Sequence, residues 1–280
     1  MRLQPPCRRA SLKRMKHRPL FVGLLFAVLV ACAPPAFAQA GRLQFDAARV
    51  PVGRVFHYSK SNRDGSHAAN ISAYVTAIDR VEALKWDEGG DEATLVLAEM
   101  DWARFSVRRF EAWYLQRGAT PQRRAILEAT GDQLSTSITQ SPITLRHWPW
   151  HSYDFDFTSL SLTLPHLLDP ASGLSFWRTD YVYGDTPRVA EVGEVVMRFE
   201  GNEQRNGRAV RRYSIGGPGL EGKQGTWWSD ARSGLLVAFE LPVGDEPGYH
   251  DVKMTLQSDG EMTRPRWEAF KHCAIGDAAT

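Results

Sequence analysis

Residues 192–256 read VGEVVMRFEGNEQRNGRAVRRYSIGGPGLEGKQGTWWSDARSGLLVAFELPVGDEPGYHDVKMTL. The stretch divides into five short runs. In the first, Val195, Met197 and Phe199 alternate with Glu194, Arg198 and Glu200. Asn206-Gly207 follows, a pair suited to a two-residue hairpin because that turn needs positive φ at both centres. The next run puts Arg211, Tyr213 and Ile215 on one face. Gly216-Gly217-Pro218-Gly219 interrupts it, Trp227-Trp228 lies in the third run, and Arg232-Ser233-Gly234 turns the chain back. Leu235, Val237, Phe239 and Leu241 then alternate with Ala238 and Glu240, and Val252, Met254 and Leu256 with Asp251, Lys253 and Thr255. Alternation of period two, with turn residues between the runs, predicts an antiparallel meander with one buried face.

The same pattern extends upstream. Residues 54–60 and 70–78 read as strands, with 81–86 continuing the second past a bend, and 93–100 is a further strand. Residues 101–114 fit a strand with Arg104, Arg108 and Arg109 outward, but Trp102, Phe105, Arg109 and Trp113 also fit helical spacing. Residues 120–130 are a helix candidate, with Thr120 as cap, Pro121 at the first helical position and Gly131 after the end. Residues 159–168 form a second, Leu-rich one limited by Pro165 and Pro170, and 267–274 is either a last strand or a terminal helix. The expected fold is mainly β: a single strongly curved antiparallel sheet, a half-barrel or open barrel of about ten to twelve strands with one to three short helices. One of those helices could lie in the concave side.

The first residues belong to a different kind of segment. Seven basic residues between Arg2 and Arg18 precede an apolar run over 20–31, and Ala36-Phe37-Ala38 makes a small-x-small cleavage site. Residues 1–38 are therefore read as a secretory signal peptide and 39–280 as a single β-rich domain. A second reading is open, because Leu29-Val30-Ala31-Cys32 matches a lipobox, in which Cys32 would carry the lipid. The location expected is periplasmic or secreted, or else the outer membrane through a lipid on Cys32. Of the 34 Lys and Arg, 27 lie after residue 38, against all 32 Asp and Glu. That acidic balance, with no basic run, argues against nucleic acid as a partner. Cys273 is then the lone cysteine after Ala38 and cannot form an internal disulfide.

The C-terminal third resembles the periplasmic half-barrel proteins, which include lipoprotein carriers, outer-membrane lipoprotein-sorting proteins and related domains of unknown function. The resemblance rests on Gly217-Pro218-Gly219-Leu220, on Trp227-Trp228-Ser229-Asp230 running into Gly234, and on the apolar strand Leu235-Leu236-Val237-Ala238-Phe239-Glu240 after it. It implies a curved sheet that cradles acyl chains or a hydrophobic segment of a partner. The chain differs from the carriers in its length, in the 120–131 segment and in lacking a long helix after the signal.

Candidate chemistry is sparse. His147 and His151 lie four apart, but Pro149 between them opposes the helix that would bring both imidazoles to one metal. No metal site and no cofactor is expected. Asp154 and Asp156, flanked by Tyr153, Phe155 and Phe157, put two carboxylates on one face of a strand, which could serve acid–base hydrolysis. No Gly-x-Ser-x-Gly elbow or phosphate loop is present. Nine Trp suit a core or a binding surface. The expected ligand-binding lining is Trp102, Phe105, Trp113, Trp227 and Phe239, if adjacent strands of a curved sheet share one apolar face. Three functions are open on sequence: an exported envelope protein binding a hydrophobic small molecule, lipid or lipoprotein without catalysis, with peripheral membrane association; a secreted hydrolase using Asp154 and Asp156; or an envelope assembly factor.

Overall fold

The computed structural model describes residues 41–138, 142–182 and 188–276. From the N-terminal side, strands β1 (Arg54–Asn62), β2 (Ala69–Ala77), β3 (Arg80–Trp86), β4 (Glu92–Asp101), β5 (Ser106–Gln116), β6 (Gln122–Thr130), β7 (Gln133–Thr136) and β8 (Ile143–Thr144) follow as consecutive hairpins. The short β9 (Trp150–His151) precedes helix α1 (Thr158–Thr163). The meander comes next as β10 (Leu174–Val182), β11 (Arg188–Arg205), β12 (Arg208–Gly216), β13 (Gln224–Asp230), β14 (Leu236–Leu241) and β15 (Val252–Glu261), and helix α2 (Arg264–Ala274) ends the described chain. All fifteen strands belong to one sheet, in the order β8 to β1 and then β15 back to β9. Every neighbouring pair is antiparallel except β9 with β10.

Two interactions show how the sheet curls. β1 and β15 pair along nine residues, joining the two halves. The backbone N–H of Trp150 at the far edge donates to Ser106 Oγ at the start of β5, 2.9 Å away. The β9 edge therefore meets the sheet at β5 without a ladder forming there, and β6 to β8 run on past the meeting point. The sheet overlaps itself and does not close. Gly234 (φ +78°) shows how tightly the β13–β14 turn sits on the interior, because a Cβ there would lie 3.0 Å from Pro165 Cα.

The fold class is the expected one, with more strands. Residues 80–86 form a separate hairpin strand and do not continue β2. Residues 122–130 are strand β6, paired with β5, and not a helix. Three adjacent apolar residues, Ala125, Ile126 and Leu127, do not distinguish the two periods, and pairing with β5 decides the outcome. Residues 153–157 are not a strand either. Asp156 and Phe157 both have φ of 50°, and the Asp156 N–H donates to the Tyr153 carbonyl at 2.7 Å, so the chain turns there into α1. Residues 267–274 are helical, within α2.

Both faces of β1–β5 are covered. Inward, Phe56, Ala73, Ala83 and Val96 belong to the main core; outward, Val55, Tyr74, Leu84 and Leu95 pack with Trp267 of α2. Burial on both faces explains the unbroken apolar run Leu95–Ala98, where alternation fails. Glu82 holds α2 in place by accepting from Trp267 Nε1 at 2.6 Å and pairing with Arg264. On the concave side, residues 150–167 form a plug. Its side chains Tyr153, Phe155, Phe157, Leu160, Leu164 and Leu167 are buried in the same cluster as Met197, Tyr213, Trp227 and Phe239 of the meander. The inner hollow is thus filled by the chain itself beneath β11–β14.

Candidate functional site

The plug does not fill the other half. Between it and the inner faces of β2–β6 lies a cavity of 350 Å³. Its floor is Ile71, Ala83, Val96, Phe110, Ala112, Ala125 and Leu127, with Ile138 beside them. The alternation of each strand turns these residues inward, and the alanines Ala83 on β3, Ala112 on β5 and Ala125 on β6 leave space that larger side chains would take. Ala112 faces Ala125 across the β5–β6 ladder. The opposite wall is the plug, through Trp150, Ser152, Asp154, Phe155 and Asp156. Asp180, Tyr181, Lys85, Arg124 and Glu246 add polar groups to the lining.

Each carboxylate in this wall has a different environment. Asp180 is fully buried; it pairs with Arg178, accepts from Ser152 Oγ at 2.6 Å, and takes the Tyr153 and Asp154 N–H groups at 2.8 and 3.2 Å. Those bonds hold the turn 152–154 against β10. Asp156 lies 2.6 Å from the buried ammonium of Lys60, which also pairs with Asp245. Burial opposes the Lys60 charge, but the two carboxylates more than offset it and hold its pKa above the usual value. Asp154 has no cation of this kind. Its Oδ2 accepts the Tyr181 N–H at 2.9 Å and its buried Oδ1 has no hydrogen-bond partner. Burial, and then the charge of Asp180, push its pKa up to about 9. Asp154 therefore presents a neutral carboxylic acid at pH 7, able to donate or accept a hydrogen bond at the cavity wall.

The Asp154 proton has a consequence for stability. Its pKa is higher in the folded than in the unfolded chain, so the folded state binds more protons between about 4 and 9. Its contribution is fully present below the unfolded value and is lost as pH rises toward 9. Asp154→Asn keeps the shape and removes the titration. The variant should gain on the wild type between pH 5 and pH 9 by at least about 2–4 °C in melting temperature, the shift expected from 1 kcal/mol in a domain of this size. Parallel melting curves for the two proteins across that range would exclude this assignment.

The five residues expected to form one lining fall into three places. Trp227 and Phe239 stack on the inner face at 5.8 Å, yet both are fully buried beneath the plug. Trp102 and Phe105 meet edge-on at 6.1 Å, and both contact His166. Trp113 lies on the opposite face, packed with the α2 cluster, because Phe110 and Ala112 take the inward positions of β5. None of the five lines the cavity. Asp154 and Asp156, singled out as a possible catalytic pair, do line it. Small inward residues such as Ala83, Ala112 and Ala125 mark its floor, a signal that a search for aromatics passes over. His147 stacks on Trp177 at 3.5 Å, while His151 is buried with Nδ1 3.0 Å from Ser159 Oγ. Among the described residues no cluster of three His, Cys, Asp or Glu side chains is arranged to hold a metal. Cys32 and the 1–38 segment lie outside the described residues, and among those described no helix is long and apolar enough to cross a membrane.

No family model matches the chain, and no curated protein matches it. Solved structures are similar to it in outline. A beta-barrel-like protein of domain of unknown function DUF1849 from Brucella abortus is 12% identical, with a TM-score of 0.44, covering 80% of this chain and 100% of that one. A DUF1329 family protein from Desulfovibrio piger is 10% identical, with a TM-score of 0.28, covering 82% of this chain and 95% of that one. A putative outer membrane lipoprotein-sorting protein domain from Vibrio parahaemolyticus is 9% identical, with a TM-score of 0.21, covering 81% and 94%.

Proposed function

We propose that this is an exported envelope protein that binds one hydrophobic ligand, a lipid chain or a lipidated segment, between the inner face of β2–β6 and the plug, and does no chemistry on it. The observation that carries the reading is the cavity of 350 Å³ with an apolar floor and a wall on which most of the charged groups are already ion-paired, Asp156 with Lys60, Asp180 with Arg178 and Lys85 with Glu246. Ligand sites of this kind span roughly 300–1,000 Å³ and fix orientation with a small number of polar groups. Here the neutral carboxyl of Asp154 suits a ligand's carbonyl or hydroxyl, and Arg124 adds positive charge to the lining, while Lys85 is paired with Glu246. Export, a periplasmic or secreted location, and a lipid tether at Cys32 with peripheral membrane association are part of the same proposal and rest on residues 1–38.

The hydrolase reading keeps one supporting observation, the raised pKa of Asp154, which suits a general acid. It lacks a free base, since Asp156 is held by Lys60.

Filling the floor tests the binding reading. Ala112→Trp and Ala125→Trp each place an indole in the cavity. Either should weaken binding of a fluorescent medium-chain fatty acid by more than about tenfold, or 1.4 kcal/mol. Circular dichroism should remain that of the wild type. Unchanged affinity in both folded variants would remove the cavity as the ligand site.

A further inference from the structure

A second concavity lies elsewhere and shares no lining residue with the first. It has a volume of 680 Å³ and is lined by both apolar and cationic groups. The apolar part is Leu168, 53% exposed just after the plug, backed by the buried Leu164, Pro165 and Leu167 at the plug's trailing end. The polar part holds five arginines, Arg49, Arg54, Arg208, Arg211 and Arg232, against two carboxylates, Asp230 and Asp259.

The pairing within the groove leaves cations over. Asp259 pairs with both Arg54 and Arg208, at 3.3 Å in the second case, and Asp230 lies 3.6 Å from Arg208. Arg49 pairs with Asp46 at 3.3 Å. Among the described residues, no carboxylate lies within 4.0 Å of the guanidinium of Arg211 or Arg232. Arg211 is the more telling. It precedes Tyr213 and Ile215 on the inner face of β12, opposite the buried Ser229 of β13, and is half-buried. A half-buried cation on an inward face without a counter-ion is a poor arrangement for stability alone, because burial costs a charge its hydration. A guanidinium presents a rigid fork of donors that matches a phosphate or carboxylate oxygen pair.

We infer that this groove binds an anionic phosphoryl group, with Arg211 and Arg232 as its principal donors and the exposed Leu168 side chain beside them meeting any apolar part of the same ligand. The source of the phosphoryl group is either a phospholipid headgroup or a free phosphate, and the two make different demands on Leu168. The inference is independent of the ligand in the β2–β6 cavity.

Calorimetric titration of the full chain with inorganic phosphate, with dihexanoyl phosphatidylglycerol and with dihexanoyl phosphatidylcholine tests it. The expected result is binding of phosphatidylglycerol, of phosphate or of both, weakening with added salt. Arg211→Gln with Arg232→Gln should reduce it at least tenfold, and Arg211→Lys with Arg232→Lys should recover part of it. Binding of phosphatidylglycerol alone identifies a lipid headgroup, and binding of phosphate identifies a free anion. Arg232→Gln alone, at an exposed turn, provides the comparison if the double variant unfolds, and a reduction of about threefold or more there supports the assignment. Absence of binding by both anionic probes at millimolar concentration, or binding that the folded variants leave unchanged, overturns it.

Discussion

Replacing Lys60 by methionine should cost about 3–5 kcal/mol of stability, the range expected when one partner of a buried ion pair is removed. The Lys60 side chain is fully buried, 2.6 Å from Asp156, paired with Asp245 and 3.9 Å from Glu246. Its ammonium also sits 4.5 Å from the centre of the Tyr249 ring. Without it, Asp156 and Asp245 would be two buried carboxylates with no cation between them, and Asp245 Oδ1 already has no hydrogen-bond partner. The cost should therefore come from the carboxylates left behind and not from lost packing. Adding Asp156→Asn and Asp245→Asn to Lys60→Met should recover much of the loss, because neutral amides carry a smaller desolvation penalty. Urea unfolding of the single and triple variants measures both effects. A single-variant loss below about 1 kcal/mol would place these charges in contact with water.

Phe157→Ala should be comparably damaging, at about 3–5 kcal/mol for a fully buried phenyl ring. The ring stacks on Tyr153 at 4.8 Å and meets Phe176 at 5.6 Å and Trp227 at 6.5 Å. It ties the turn before α1 to both the plug and the meander. The residue also has a left-handed backbone (φ 50°), which a non-glycine side chain adopts only where surrounding contacts hold it. Loss of the ring should loosen the plug, so binding of a hydrophobic dye should rise along with the drop in unfolding free energy. A variant that melts with the wild type would mean that the plug is dispensable for the folded state.

The meander was readable because each of its turns has local chemistry and most of its inward residues alternate, although Val237 packs with Val210, Trp228 and Ala238 on the other face, past a register shift in β13–β14. Val195, Met197, Tyr213, Ile215, Trp227 and Phe239 all reach the core as their alternation predicts. The first half was harder, for a physical reason. α2 covers the outer face of β1–β5, so Leu84 and Leu95 are buried outward while Ala83 and Val96 are buried inward, and period two fades from the sequence. β6 reads as a helix because Pro121 and Gly131 suit helix ends and turns alike. The plug was least legible: positive φ at Asp156 and Phe157 replaces alternation with a turn whose aromatic residues are all buried. The cavity site was half visible. Asp154 and Asp156 stand out as a pair, but nothing local shows that Lys60, nearly a hundred residues earlier, neutralises one and that burial, together with Asp180, raises the pKa of the other. The expected aromatic lining was inferred from the sheet alone, and the plug covers Trp227 and Phe239.

The most direct test is to locate a bound chain. Crystals grown with a medium-chain fatty acid brominated at its apolar end should show an anomalous bromine peak enclosed by Val96, Phe110, Ala112, Leu127 and Trp150. The wild type should show that peak and Ala112→Trp should lose it. Bromine found only outside that enclosure, or a peak that the added indole leaves in place, would contradict it.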